Sequence, residues 1–107
     1  MSDIYTIIKG DDTYFNGKDI LPSIKIITTL DLTGWRAKFT YQKTVLNFED
    51  ISNYIIQPRF TSAQTRTFLV GTHPAELVLF DNEGKRKTVF DNLFITVTDE
   101  VGGNYVN

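Results

Sequence analysis

Between Trp35 and Gln42, apolar and polar side chains alternate without a break: Trp35, Ala37, Phe39 and Tyr41 fall on one side, Arg36, Lys38, Thr40 and Gln42 on the other. A period of two predicts a strand with one buried face. The same rhythm returns at residues 75–81, where Ala75, Leu77 and Leu79 share a face, and at 93–98, where Leu93, Ile95 and Val97 do. Shorter β-branched or aromatic runs at 4–9, 23–30, 45–49, 54–60 and 87–90 read as further strands. In the 23–30 run Ile24, Ile26 and Thr28 point one way and Lys25, Ile27 and Thr29 the other. Pro58 puts its run at a sheet edge or near a strand end, because proline cannot donate to a ladder.

The segments between these runs carry turn chemistry. Asn16-Gly17 is a hairpin signal, since both central residues of such a turn need positive φ. Asp31-Leu32-Thr33-Gly34 and Asp81-Asn82-Glu83-Gly84 set Asp first and Gly fourth, as a type I turn prefers. Thr61-Ser62-Ala63-Gln64 fits a capping box, so residues 62–68 are expected to form one helical turn crossing between sheets, closed by Gly71.

Seven to eight short strands with one short helical turn predict an all-β chain, an immunoglobulin-like antiparallel β-sandwich. One domain spans residues 1–107, with 98–107 as a flexible tail. Trp35 then enters the third strand facing inward, with Phe39, Leu77, Leu79 and Ile95 as neighbours. On that reading Trp35→Ala costs about 3–5 kcal/mol; the competing reading makes the ring a ligand platform.

Composition narrows the function classes. A chain of 107 residues can bury about two-thirds of its unfolded surface without staples. It has no cysteine, which removes disulfides, thiolate metal sites and cysteine nucleophiles. Eleven basic against 13 acidic residues leave a net charge of −2, no electrostatic footprint for DNA or an anionic membrane. The N-terminus lacks a basic region followed by a long apolar run, and no apolar stretch approaches the ~18 residues of a spanning helix. Neither nucleic acid nor membrane is expected as a partner, and synthesis in the cytoplasm is the default.

Candidate chemistry is sparse. The single His73 precedes Pro74, where a solvated turn residue is expected, and no triad or metal-ligand spacing surrounds it. No serine sits in a Gly-x-Ser-x-Gly elbow. Asp11-Asp12, Glu49-Asp50 and Asp99-Glu100 lie near strand ends, where acids cap turns; calcium is their functional alternative, but no EF-hand pattern is present. Lys85, Arg86 and Lys87 read as a solvated hairpin. Catalytic, cofactor-binding and metal-binding residues are thus expected to be absent. Fourteen aromatics are more than a small core readily hides, so Tyr5, Tyr14 and Tyr54 are the candidates for an interaction or sugar-binding surface.

The order of these signals carries a resemblance. Gly10-Asp11-Asp12-Thr13-Tyr14, then Asp31-Leu32-Thr33-Gly34-Trp35-Arg36-Ala37-Lys38-Phe39, the Thr/Ser-rich turn before Gly71, and Leu77-Val78-Leu79-Phe80-Asp81-Asn82-Glu83-Gly84-Lys85 together resemble the immunoglobulin-like N-terminal domain of phage baseplate upper proteins. The resemblance covers residues 4–98. It implies a phage or prophage virion protein, a non-enzymatic module that attaches host-recognition machinery to the tail or baseplate in several copies. Other virion proteins and further copies of itself are the implied partners, and no catalytic residue is carried over. The family continues into a helical linker and a further domain, whereas this sequence stops at Asn107, which points to an accessory, decoration or fibre-attachment role. A sandwich that binds host-surface carbohydrate through exposed aromatics is the alternative.

Overall fold

The computed structural model describes residues 3–99 of the chain. The alternating runs become one five-stranded sheet, ordered β1 (Asp3–Ile8), β9 (Arg86–Thr98), β8 (Gly71–Phe80), β5 (Arg36–Tyr41) and β6 (Thr44–Phe48). Register explains why one face is apolar throughout. Phe39 lies opposite Leu77 and Leu46, Ala37 opposite Leu79, Tyr41 opposite Ala75, and Ala75 opposite Leu93. Cross-strand partners share a face, so these side chains form a continuous apolar floor.

The covering layer is built differently. β4 (Ile24–Lys25) pairs with β7 (Ile55–Ile56) over two residues each, and β2 (Tyr14–Phe15) with β3 (Lys18–Asp19) in a separate hairpin. The remaining cover is loop and the single turn of α1 (Ser62–Thr65). From this layer Leu21, Ile26, Leu32, Ile51, Ile56, Phe60 and Phe68 pack onto the floor as one buried cluster. The fold is therefore all-β and sandwich-like, with one fully laddered sheet facing a sparse layer that holds two separate two-stranded sheets.

Tyr41 anchors the centre. It is fully buried, stacks edge-on against Phe68 at 5.0 Å between ring centroids, and donates its hydroxyl to the Ile95 carbonyl at 2.6 Å. Two buried threonines stitch the layers. The Thr13 amide donates to the Phe60 carbonyl, and the Phe60 amide donates to the Thr13 hydroxyl, each at 2.9 Å. Thr65 takes the Gly10 amide and donates to the Asp11 carbonyl. Both polar side chains are thus satisfied where an unpaired hydroxyl would be costly.

Local signals read from sequence were correct where the chemistry is local. Asn16 and Gly17 adopt φ of 55° and 81° between β2 and β3. The Thr61–Gln64 capping box is present, each side chain serving the other's amide. At Asp81 the Gly84 amide returns to the Asp81 carbonyl, with Gly84 at φ 81°.

Other expectations need correction. The turn before Trp35 runs one residue later than expected: the Trp35 amide reaches the Leu32 carbonyl at 3.0 Å and Gly34, in third position, takes φ 85°. Asp31 acts outside that turn, accepting the Thr33 amide and hydroxyl. The 23–30 and 54–60 strands shrink to two residues each, because Tyr54 at φ 63° and Pro58 leave β7 little extended backbone to offer. The 87–90 and 93–98 runs are one strand, bent by two register shifts against β8. The sheet is not wholly antiparallel, since β1 runs parallel to β9. Of the expected tail, Thr98 lies in β9 opposite Ile8, and residues 100–107 lie outside the described residues.

Candidate functional site

The sparse second layer leaves the sandwich open at one end. A cavity of about 640 Å³ lies between the 24–32 segment and the ends of β5, β8 and β9, bounded by Ile24, Ile26, Leu32, Trp35, Leu77 and Leu79. Its size lies in the range of ordinary ligand or docking pockets. Ile27 and Leu30 stand at its margin, 90% and 54% exposed. Ile27 is exposed with Lys25 on the outer side of the segment, while Ile26, whose amide reaches the Tyr54 carbonyl at 2.8 Å, turns inward; Leu30 lies beyond this pairing. Lys25 and Lys87 add the charged part of the lining, with Thr28 the remaining polar side chain.

Trp35 is part of this wall. It precedes β5 and is half-buried, packed against the core without being enclosed by it. The expected neighbours Phe39, Leu77, Leu79 and Ile95 are all buried. The ring packs inward as expected, but it is only half-buried, with its open side on the cavity. The turn is nonetheless firmly seated, with Asn82 Oδ1 2.7 Å from where a β-carbon on Gly34 would stand.

Lys87 is the residue that sequence reasoning missed. The basic run 85–87 resembles a solvated hairpin, and two of its members behave so: Lys85 lies 3.4 Å from Glu83 and Arg86 3.6 Å from Glu76, both pairs well exposed and of little energetic consequence. The two register shifts in β9 turn Lys87 opposite Leu79 and bring it to the cavity. No local sequence signal marks a bulge of this kind.

The three tyrosines are not brought together. Tyr5 sits on β1 opposite Ile95 and packs half-buried against the core. Tyr54 does the same from the covering layer, with its hydroxyl donated to the Leu30 carbonyl at 2.8 Å. Tyr14 on β2 is 41% exposed, but its ring face carries the Arg59 guanidinium 3.8 Å from the centroid. Arg59 is held there by two hydrogen bonds to the Asp19 carboxylate, at 2.8 and 3.1 Å, which favour its charged form.

His73 lies in β8, on the core face opposite Ile95, and not in a solvated loop. A residue before proline favours extended backbone, which a strand satisfies as well as a turn. Pro74 is tolerated because the β5 ladder begins one residue later, at Ala75, so β8 is locally an edge. The His73 Nε2 is buried without a hydrogen-bond partner beside the Tyr41 ring. Acids named as calcium candidates serve turns instead: Asp12 accepts the Ser62 amide, and Asp50 accepts the amide and hydroxyl of Ser52. Among the described residues no three His, Cys, Asp or Glu side chains gather. Comparison with protein-family models, curated proteins and solved structures finds no match to the chain.

Proposed function

We propose that this chain is an immunoglobulin-like assembly module of a phage or prophage virion, a non-enzymatic structural protein of the tail or baseplate that works by protein–protein contact. Its partners are other virion proteins and further copies of itself. The observation that carries the reading is the apolar opening rimmed by Ile27 and Leu30, surface that a chain acting alone gains nothing by exposing. Phe15, Leu69 and Val70, exposed by 75%, 66% and 51%, extend the supply of apolar contact elsewhere on the surface. The Asp31-to-Phe39 segment and the run from Leu77 to Lys85 support the family resemblance on which the virion setting rests.

The carbohydrate alternative has less support. A sugar platform needs open aromatic faces interleaved with hydrogen-bonding side chains. Tyr14 is covered by Arg59, Tyr5 and Tyr54 pack inward, and the cavity wall around Trp35 is mainly aliphatic.

The test is a double substitution, Ile27→Asp with Leu30→Asp, at the rim. Both side chains are exposed, so the thermal midpoint should hardly move. Incorporation into particles should fall sharply. Incorporation at the unaltered level would remove the cavity from the assembly contact.

A further inference from the structure

The edge strand β6 lacks the usual protection. Thr44-Val45-Leu46-Asn47-Phe48 contains no charged residue and no proline, and among the described residues it pairs with β5 alone. Natural edges are ordinarily blunted by charge, proline or a bulge. The opposite edge, β1, opens on Asp3, and the β5–β6 ladder runs in one unbroken register.

The hairpin geometry fixes which groups are free. Gln42 and Lys43 form a two-residue turn with both φ values positive, which makes Tyr41 and Thr44 its closing hydrogen-bonded pair. Alternation along an antiparallel ladder then directs the main-chain groups of Thr44, Leu46 and Phe48 to β5. Those of Val45 and Asn47 face outward, with no partner among the described residues. Val45 is also exposed at its side chain, and Leu46 and Phe48 lie half-buried at the border of the core.

The flanking charges have opposite sign. Lys43 precedes the strand, and Glu49 and Asp50 follow it. We propose that β6 pairs antiparallel with β6 of a second copy of this chain, about a two-fold axis at Leu46, joining the two main sheets edge to edge. In this register Val45 and Asn47 of one copy exchange main-chain hydrogen bonds with Asn47 and Val45 of the other. Leu46 meets Leu46, and Lys43 stands opposite Glu49 at both ends. An in-register parallel pairing would instead set Lys43 beside Lys43 and Glu49 beside Glu49. The charge pattern therefore selects the closed, two-fold arrangement, which does not propagate into a fibre.

A contact built on one short strand buries less than the ~1,200–2,000 Å² of a stable standard interface. The dimer is accordingly weak by itself and strengthened where copies are held at high local concentration. This deepens the assembly reading by naming one surface and one partner for it.

Sedimentation velocity over a concentration series tests the pairing. The unaltered chain should show reversible dimer formation. Val45→Pro, which removes an outward amide and no β5 bond, should abolish it with an unchanged thermal midpoint. Lys43→Glu or Glu49→Lys alone should weaken it about tenfold, and the two together should restore it. Because the chain has no cysteine, Leu46→Cys should give an oxidised dimer, while Val45→Cys, whose counterpart is Asn47, should not. A chain that stays monomeric throughout, or cross-links equally from both positions, overturns the pairing. Incorporation of the unaltered chain into particles would then still stand, separating this failure from failure of the assembly reading.

Discussion

The Gln42 side chain holds both main-chain groups of Leu69: its Nε2 donates to the Leu69 carbonyl at 3.1 Å and its Oε1 accepts the Leu69 amide at 2.8 Å. The contact ties the β5–β6 turn to the segment after α1. It also supports two non-glycine residues, Gln42 and Lys43, at φ of 47° and 75°. Gln42→Ala is expected to cost about 1–2 kcal/mol, since two hydrogen bonds are lost and the Leu69 groups can regain water. Lys43→Gly should stabilise by roughly 0.5–1 kcal/mol through relief of the left-handed backbone. Chemical denaturation measures both.

Tyr41 provides a test of the core. Tyr41→Phe removes the donor to the Ile95 carbonyl in a dry site and should cost about 1–2 kcal/mol. Burial pushes the phenol above its ordinary pKa, so the folded state holds the proton more tightly than the unfolded one. The associated stability is present below the ordinary tyrosine pKa of about 10 and is lost as pH rises beyond it. Urea midpoints recorded at increasing alkaline pH should fall less steeply for Tyr41→Phe than for the unaltered chain.

Trp35→Ala should be milder than a fully enclosed truncation. With one side open to the cavity, its cost is expected near 1.5–3 kcal/mol, against about 3–5 kcal/mol for Phe39→Ala, whose ring is fully buried. As the single tryptophan, Trp35 also reports directly on the opening: its emission should be partly quenched by acrylamide in the folded state. A ring wholly inaccessible to quencher would mean that the cavity is closed in solution.

Three turn aspartates share one device. The Thr33 hydroxyl and amide lower the Asp31 pKa; the Ser52 amide and hydroxyl lower that of Asp50; the Lys85 and Glu83 amides, with the Lys85 and Lys87 charges, lower that of Asp81. A depressed carboxylate contributes stability above its unfolded pKa of about 4 and loses it as pH falls further. Replacing all three by Asn should lower stability at neutral pH and flatten the decline below about pH 4. An unchanged acid profile would assign the decline to other carboxylates.

Legibility in the sequence followed the range of the interactions. The Asn16-Gly17 turn, the Thr61–Gln64 box and the faces of residues 37–41, 75–79 and 93–97 depend on neighbours in the chain, and they were read correctly. The length of the strand after Ser23 depends on what β7 can offer from thirty residues away, and there the pattern overshot. The parallel β1–β9 pairing, the placement of Lys87 beside the cavity and the position of His73 on the core face are equally non-local. The candidate site was hidden for the same reason. Ile27 was placed on the outer face with Lys25 and is exposed there; what the local pattern does not show is that this face borders a cavity. Tyr5 and Tyr54 looked like surplus aromatics, but the sparse covering layer leaves room for them against the core.

The proposed role makes the chain a structural component of a virion. Quantitative mass spectrometry of purified phage particles, with isotope-labelled peptides of the chain as standards, decides whether it is such a component. A fixed stoichiometry of several copies per particle is expected. Absence of the chain from intact, infectious particles would contradict it.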